Sequence, residues 1–459
     1  PGESVTPGGL MTIPKAGPEP LLDLAAFLEP FAKLVRRSES RRAMERYTTG
    51  LLSGVDRKTA SGLGRSLPGT SGQNLQEFLT RTRWDPWAMD QLRIEHMLAY
   101  ATAGDGVLII DDTGLPKKGM ASVGVGRQYS GTLGRVDNCQ VVVTAHYVDR
   151  VFDWPVTARL YLPQRWTEEL KRRRRAQVPE SVSFKTKGEL ALELIERART
   201  AQVPFRAVVV DAGYGDQPAL LDGMVARKIP HVAAVSESTR FRLAAEVDQD
   251  PGDGPLPRYN GRGRPRKATT LKDRIVSHQA DALINELPAE AWHRVAWRDG
   301  TKGPLVKEFA LIEVFRSGHR SEHLPVRGLL LGERPIGKAN QTEKHKYYFT
   351  WGLSELSLAE LVDLAHIRWV IERFYQDAKG ELGLDHYEGR LWTGFHRHVA
   401  LVMLTHSYLA LRQSYAPEAT ERPPPKRTKP APAADGLPVA RGFPPTGQKK
   451  RRRLAQGHT

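Results

Sequence analysis

The chain has 459 residues, a single cysteine and a formal net charge of +16. This length is enough for two or three domains, each with its own core. The lone Cys139 excludes an intramolecular disulfide framework and a multi-cysteine zinc site, and it is typical of a reducing compartment. No apolar run reaches the roughly 20 residues of a membrane helix, so we expect a cytoplasmic protein with no membrane partner.

The two ends of the chain differ from the rest in composition. Residues 1–20 are rich in Pro and Gly and have no apolar period, and they are predicted to be a disordered lead. Residues 414–459 carry ten Lys or Arg against three Asp or Glu, a net charge of +7 on a Pro-rich segment. We predict a disordered basic tail there. Together with the overall charge, this tail favours a polyanionic partner such as nucleic acid.

Residues 21–104 are predicted to form a helical domain. Apolar residues recur at helical spacing in LLDLAAFLEPFAKLV, RRAMERYTTGLL, NLQEFLTRT and WAMDQLRIEHMLAYA, and the loop SLPGTSG interrupts them. Packing is the simpler role for such helices. DNA binding is the alternative that the positive charge suggests.

The next segment, GVLIIDDTGLPKKG, runs from a buried strand directly into Asp111 and Asp112. An acid at this place can cap a helix. A nucleotide hydrolase is excluded because the chain has no phosphate-binding loop of the G-x-x-x-x-G-K-[ST] type. An aspartyl phosphotransferase would need a second acid where Thr113 stands. The remaining chemical interpretation is a metal-binding carboxylate, and either acid of the pair could supply it.

The order of the elements after residue 105 predicts an α/β fold with a ribonuclease H-like catalytic core. The strands NCQVVVTAHYV and WPVTARLYLP follow the first one, then comes the helix KGELALELIERARTAQV and then a strand that ends at Asp211. In that fold the first and the fourth strands are neighbours, so an acid of the first strand would lie near Asp211. Two carboxylates that close need a cation between them. This first part of the core covers residues 105–235.

A β-rich insertion is predicted over residues 236–345, because HRVAWRD, KEFALIEVF, PVRGLLLG and HKYYFTW all have strand character. Its loop contains Arg262 and Arg264 in the tetrapeptide Arg-Gly-Arg-Pro, the core of an AT-hook. These arginines either enter a minor groove or belong to a flexible basic loop. Helices over residues 346–413 would complete the catalytic core.

One of these last helices carries Arg368, Glu372 and Lys379 at positions i, i+4 and i+11, which places them on one polar stripe. Such a stripe is often a solvated face. Here Trp369 and Phe374 flank it, and their apolar rings favour a buried role for the charges.

Five blocks in sequence carry a family resemblance: IIDDTGLPKKG, GVGRQYSGTLGRVDNCQVVV, LYLPQRW, VVVDAGYG and RWVIERFYQDAKGELGLDHYEGR. In this order they resemble the DDE-type transposases of bacterial insertion sequences, in the lineage with a Tyr-Arg-Glu-Lys signature. The resemblance covers most of residues 105–410. The position of the signature Tyr is occupied by Ala365, and Tyr375 or Tyr129 could take its role.

The resemblance implies a set of site residues and cofactors. The catalytic and metal-binding acids would be Asp112, Asp211 and Glu372, holding two Mg²⁺ or Mn²⁺ ions. The phosphate contacts would come from Arg368, Lys379, Lys117 and Lys118, with Arg262 and Arg264 in the insertion.

The implied function is metal-dependent cleavage of DNA at insertion-sequence ends, followed by strand transfer into target DNA. The partners would be double-stranded DNA, both terminal inverted repeats and target, and further copies of the chain in a homodimer or higher multimer. The location would be the prokaryotic nucleoid. Two alternatives remain, a transposase-derived DNA-binding protein without catalysis and another nuclease of the same fold, such as a junction resolvase.

Overall fold

The computed structural model describes residues 22–102, 104–130, 134–256, 258, 269, 271–300, 303–317, 326–337 and 343–414. The predicted lead, the arginines Arg262 and Arg264 and the predicted tail beyond Ser414 lie outside these residues. No helix in the described part of the chain is long and apolar enough to cross a membrane.

The N-terminal region is helical, as the apolar spacing predicted. Its elements are α1 (Leu22–Leu28), a 3-10 helix (Glu29–Leu34), α2 (Ser38–Leu52), α3 (Ala60–Ser66), α4 (Gly72–Thr80) and α5 (Pro86–Leu98). Side-chain caps start three of these helices: Thr59, Ser71 and Asp85 accept hydrogen bonds from backbone N–H groups of α3, α4 and α5. The apolar spacing did not predict α3, because this helix is short and contains two glycines.

A mixed β-sheet forms the centre of the molecule. Its strands are β1 (Gly106–Pro116), β2 (Gly126–Ser130), β3 (Arg135–Val148), β4 (Asp153–Tyr161), β5 (Phe205–Val210), β6 (His231–Val235), β7 (Arg240–Leu243), β8 (His278–Gln279), β9 (His293–Gly300), β10 (Gly303–Arg316), β11 (Val326–Arg334) and β12 (Lys346–Trp351). Within the described residues the order is β2-β3-β1-β5-β6-β12-β11-β10-β7-β8, with β4 beside β3 and β9 beside β10. Strand β1 is antiparallel to β3 and parallel to β5. The predicted adjacency of the 106–112 and 205–210 strands is therefore present.

The strands of the predicted insertion continue this same sheet. Strand β12 pairs antiparallel with β6, with Phe349 opposite Ala233, and β11 and β10 follow outward. Pairing with β12 satisfies the backbone groups that would otherwise form an exposed edge of β6. The sequence predicted the strands of this region but contained no signal for where they would pair.

The remaining helices cover the two faces of the sheet. They are α6 (Gln164–Glu168), α7 (Leu170–Arg175), α8 (Lys187–Thr200), α9 (Ala212–Gly215), α10 (Pro218–Ala226), α11 (Ala244–Asp248), α12 (Leu271–Arg274), α13 (Ala280–Asn285), α14 (Leu358–His366), α15 (Trp369–Gly380) and α16 (Trp392–Ser414), with a 3-10 turn at Ala289–Ala291. Alternate residues of β1 enter different cores. Val107 and Ile109 pack in the core that contains α15, and Leu108 and Ile110 pack in the core that contains α8.

The N-terminal helices share the α15 core. Leu51 of α2 and Phe78 of α4 belong to the same buried cluster as Ile109 of β1. Tyr47 bonds through its hydroxyl to Nδ1 of His398 in α16 at 2.8 Å. The helical region and the sheet therefore have a continuous apolar interior.

A buried carboxylate, Glu333 of β11, ties the outer strands to α14. It accepts from Lys307 Nζ at 2.5 Å and from the Tyr348 hydroxyl at 3.0 Å, and His366 Nε2 lies 3.1 Å away. Burial raises the pKa of Glu333, but the contacts with His366 and Lys307 prevail and lower it from 4.5 to about 2. The ionised form is therefore the one that the fold stabilises.

Glu333→Gln is expected to lower the free energy of unfolding by about 3 kcal/mol at neutral pH. Because the folded-state pKa is depressed, the contribution is complete above pH 4.5 and is lost as the pH falls through about 2. Urea unfolding across this range should show the gap between wild type and variant closing on the acid side. The exposed pair of Glu313 with Arg327 provides the control, because Glu313→Gln should change stability little. A gap for Glu333→Gln that does not depend on pH would contradict the linkage.

Candidate active site

Asp111, one of the two candidate acids of the first strand, lies beside the predicted Asp211. The strand does not end at Asp111, as the sequence suggested, but continues to Pro116, and Ile110 lies opposite Val210, the last residue of β5. Asp211 is the N-cap of α9, and its Oδ1 accepts a hydrogen bond from the backbone N–H of Tyr214 at 3.1 Å. The sheet therefore positions the two carboxylates by backbone pairing alone.

Asp111 faces α15. It is buried, and its Oδ2 accepts from Arg368 Nη2 at 2.9 Å. Burial raises the pKa of Asp111 to about 6, with Arg368 acting to lower it and the nearby Asp211 to raise it. On the same face Thr144, the partner of Asp111 in β3, bonds to the hydroxyl of Tyr375. An acid under these conditions is one that a further cation would stabilise in its ionised form.

Asp112 points to the other face of the sheet, because successive side chains of a strand alternate. Its Oδ2 lies 2.9 Å from Lys187 Nζ at the start of α8 and accepts from the Tyr214 hydroxyl at 3.0 Å. Asp112 is therefore paired with a lysine and a tyrosine on the face away from α15.

Arg368, which stands just before α15, also contacts a second acid. Its Nη2 lies 3.5 Å from Glu372 Oε1, in addition to its bond with Asp111. Burial acts to lower the pKa of Arg368, but Asp111, Asp211 and Glu372 together raise it above its ordinary value. Arg368 is therefore in direct contact with Asp111 of β1 and Glu372 of α15, and Asp211 at the end of β5 acts on it electrostatically. Glu372 is the most exposed of them, with 64% of its side chain accessible.

The donor set suits a hard divalent cation, because carboxylate oxygens are the ligands that Mg²⁺ and Mn²⁺ prefer. In the described ranges no three Asp, Glu, His or Cys side chains are arranged so that they could hold an ion directly. Arg368 contacts two of these acids directly, Asp111 at 2.9 Å and Glu372 at 3.5 Å. A metal ion bound by the same carboxylates would take the place of this guanidinium group.

Contacts on both sides hold α15 in place. Arg373 Nη2 lies 2.6 Å from Asp153 of β4, and Asp153 also bonds to His146 Nε2 at 3.0 Å. On the outer side the ring of Trp369 contacts the guanidinium groups of Arg298 in β9, at 4.7 Å, and of Arg373, at 5.1 Å. Helix α15 is therefore fixed against both the central strands and the outer part of the sheet.

The predicted phosphate-binding cations have different surroundings. Lys379 is half-buried, and its Nζ donates to the carbonyl of Gly114 at 3.1 Å. Lys117 donates to the carbonyls of Asp385 and Tyr387 at 2.8 and 2.7 Å. Burial lowers the pKa of Lys117 to about 8. Lys118 is exposed beside the end of β1. Of these three, Lys118 is the one that a passing phosphate can reach most directly.

The two tyrosines considered as substitutes lie in different places. Tyr375 is buried beside the acids, and Asp111 and Asp112 act with burial to raise its pKa well above 10. Tyr129 lies exposed in β2, away from them. Ala365 is buried in α14. The geometry therefore favours Tyr375 as the tyrosine of the site.

Sequence reasoning did not identify Lys187 or Tyr214 as partners of Asp112. Tyr214 stands in the block VVVDAGYG, three residues after Asp211, which is the spacing that brings a residue of α9 back to its N-cap. Lys187 had a weaker signal, since Thr186 and Glu189 form a capping box that fixes where α8 begins.

Comparison with known proteins identifies the family of the chain. Residues 30–304, more than half of the chain, match the family of DDE superfamily endonucleases. The chain belongs to that family.

A curated relative extends the comparison to a particular kind of protein. Over 167 residues the chain is 33% identical to the "Probable transposase for insertion sequence element IS701" of Microchaete diplosiphon. The match covers 36% of this chain and 41% of the relative, so it spans less than half the length of either protein.

Proposed function

We propose that the protein is a transposase that cleaves DNA at the ends of an insertion sequence and joins the freed ends to target DNA. The observation that carries this proposal is that Arg368 contacts both Asp111 and Glu372, while Asp211 follows the strand beside Asp111. Membership of the endonuclease family and similarity to a transposase support the same conclusion.

The fold that best accounts for the arrangement is a ribonuclease H-like core. Strand β1 lies between β3 and β5, an acid within β1 contacts Arg368 at the start of the helix that supplies Glu372, and Asp211 follows β5. The strands β7 to β11, within residues 236–345, are the proposed insertion, and β12 follows it in the 346–413 segment, which was predicted to complete the core with helices. The 21–104 helices are the proposed DNA-binding part, although the apolar interior that they share with the sheet is equally consistent with a packing role.

The proposed cofactor is Mg²⁺ or Mn²⁺, two ions in each site, which would polarise the scissile phosphate and lower the pKa of the attacking water or 3′-hydroxyl. Asp111, Asp211 and Glu372 would hold these ions. The family resemblance assigns the first position to Asp112, whereas the geometry favours Asp111 because it faces α15 and shares Arg368 with the other two acids.

Other side chains would act on the DNA directly. When Arg368 leaves the acids, its guanidinium group can donate to a phosphate beside the scissile bond. Lys379 and Lys118 lie near the same end of β1 and would add positive charge there. Arg262 and Arg264 remain proposed minor-groove contacts from outside the described residues. Lys117 would contribute through its charge, since its hydrogen bonds go to the protein backbone.

The proposed partners are double-stranded DNA, as terminal inverted repeats and as target, and further copies of the chain in a homodimer or higher multimer. A protein with this activity would work in the bacterial cytoplasm on the nucleoid. Since each element end must be cut and joined in concert, two copies of the site are the minimum that a concerted reaction needs.

The test uses labelled duplexes that carry the inverted repeats bracketing the gene, with Mg²⁺ or Mn²⁺ and a plasmid target. A transposase should cut at the repeat boundary and join the 3′-hydroxyl end to the plasmid. Cutting of branched DNA without joined products would instead indicate a junction resolvase. Binding of the repeats without any cut product would indicate a DNA-binding protein that has lost catalysis.

A further inference from the structure

The ribbon of β2 and the first part of β3 projects beyond the end of β1, and the active site as described makes no use of it. Gly126–Ser130 pairs with Arg135–Cys139, and the far end of this ribbon is exposed. The ribbon contains most of the block GVGRQYSGTLGRVDNCQVVV. This block has no role in the active site described above.

Large apolar side chains are exposed on the ribbon. Tyr129 and Val136 are cross-strand partners, and their exposed fractions are 61% and 52%. Met120, next to the ribbon in the connection from β1, is also exposed. Neighbouring exposed apolar residues on a monomer indicate a surface that contacts a partner.

The charge around these residues is positive. Lys118, Arg127 and Arg135 are exposed along the ribbon and the end of β1, against the single acid Asp137, which is paired with Arg135 at 2.9 Å. A basic surface that also presents an aromatic ring matches the composition of a nucleic-acid contact. A two-stranded β-ribbon also has dimensions that fit the major groove of duplex DNA.

The contact residues lie on the same face of the sheet as the acids. Val136, Asn138, Gln140, Val142 and Thr144 alternate along one side of β3, and Thr144 is the partner of Asp111. The eight residue-to-residue steps from Val136 to Thr144 span about 26 Å of extended strand, which corresponds to about eight base pairs of duplex. Gln140, Val142 and Thr144 are buried, so a duplex bound at the acids would pass over this covered part of β3 and meet the exposed ribbon beyond it.

We propose that the β2–β3 ribbon is a DNA-contacting arm that binds the duplex about eight base pairs from the cleaved phosphate. Tyr129 and Val136 pack against the sugars and base edges of the groove, and Arg127 contacts the backbone phosphates. This inference rests on the proposed function, because it takes DNA as the substrate of the adjacent site.

The chain supplies a matched control at the opposite end of β3. Val151, in the turn to β4, is exposed to 51%, nearly the same as Val136, and it also stands beside an arginine, Arg150. Val136→Glu and Val151→Glu therefore introduce the same charge on equally exposed valines. The first substitution lies on the proposed contact and the second lies far from it.

The experiment measures the affinity of the full chain for a fluorescent random-sequence duplex several helical turns long. Val136→Glu should weaken binding about tenfold, and Val151→Glu should leave it within twofold of wild type. Arg127→Ala should reduce the slope of log affinity against log salt by about 0.9, the loss of one phosphate contact. Thermal unfolding should show all three variants folded as stably as wild type.

Each of the other outcomes contradicts the proposal that the ribbon is a DNA-contacting arm. Equal affinities for Val136→Glu and Val151→Glu, with wild type binding normally, would remove the ribbon from the interface and leave the proposed function intact. A variant that binds DNA normally but sediments as a smaller species would make the surface a contact between copies of the chain. A wild-type protein that does not bind the duplex would overturn both the arm and the proposed function.

Discussion

Asp111→Asn is expected to reduce DNA cleavage by about a thousandfold or more, while Asp112→Asn keeps activity within about tenfold of wild type. The reason is their orientation on β1. Asp111 faces α15 and shares Arg368 with Asp211 and Glu372, whereas Asp112 is paired with Lys187 on the opposite face. Asn keeps the size of the side chain and removes the charge that a divalent cation needs.

The measurement is the initial rate of cutting on labelled element ends in Mg²⁺, with affinity for the same duplex measured in parallel. Asp211→Asn and Glu372→Gln should match Asp111→Asn in rate, and all should bind DNA like wild type. The reverse result, an inactive Asp112→Asn beside an active Asp111→Asn, would support the residue that the family resemblance assigns. It would also mean that β1 rearranges when DNA and metal bind.

Arg93→Met is expected to lower the free energy of unfolding by about 3–5 kcal/mol. Arg93 of α5 is completely buried and donates to the carbonyls of Pro155 and Val156 in β4. It also bonds to Asp90 at 2.9 Å and to Ser407 of α16 at 3.2 Å. Methionine fills much of the volume but leaves two carbonyls and a buried carboxylate without their donor.

Arg65→Met provides the comparison, because Arg65 is exposed in α3 and its bond to Ser61 lies at the surface. That variant should unfold within about 0.5 kcal/mol of wild type in urea. If Arg93→Met were equally mild, the N-terminal helices would be less firmly joined to the sheet than these contacts indicate. A large effect would mean that the N-terminal helices stabilise the sheet that they cover.

Local patterns predicted the elements that build the site. The apolar run before Asp111 predicted β1, the run before Asp211 predicted β5, and helical spacing placed Arg368 and Glu372 on one helix face. Each of these signals lies within about a dozen residues, which is the range over which side-chain periodicity acts.

Local patterns could not predict whether Asp111 or Asp112 faces α15. It depends on which face of β1 receives α15, a helix more than 250 residues later in the chain. The pairing of β12 with β6 and the use of Lys117 to bind the carbonyls of Asp385 and Tyr387 are equally non-local. Such contacts form only when the whole apolar interior assembles, so the pattern of neighbouring residues does not predict them.

Because side chains alternate along β1, the strand register decides which of the two aspartates lies beside Arg368 and which lies beside Lys187. From Val107 to Pro116 each residue of β1 has a fixed partner in β3. A slip of one residue would turn Asp112 toward Arg368 and Asp111 toward Lys187, exchanging the acid beside α15 for its neighbour. If the proposed site is correct, we expect a single-residue insertion or deletion upstream in this strand to act as severely as the loss of an acid, although every acid would still be present. The pairing of β1 with β3 thus allows only one of two adjacent aspartates to face Arg368.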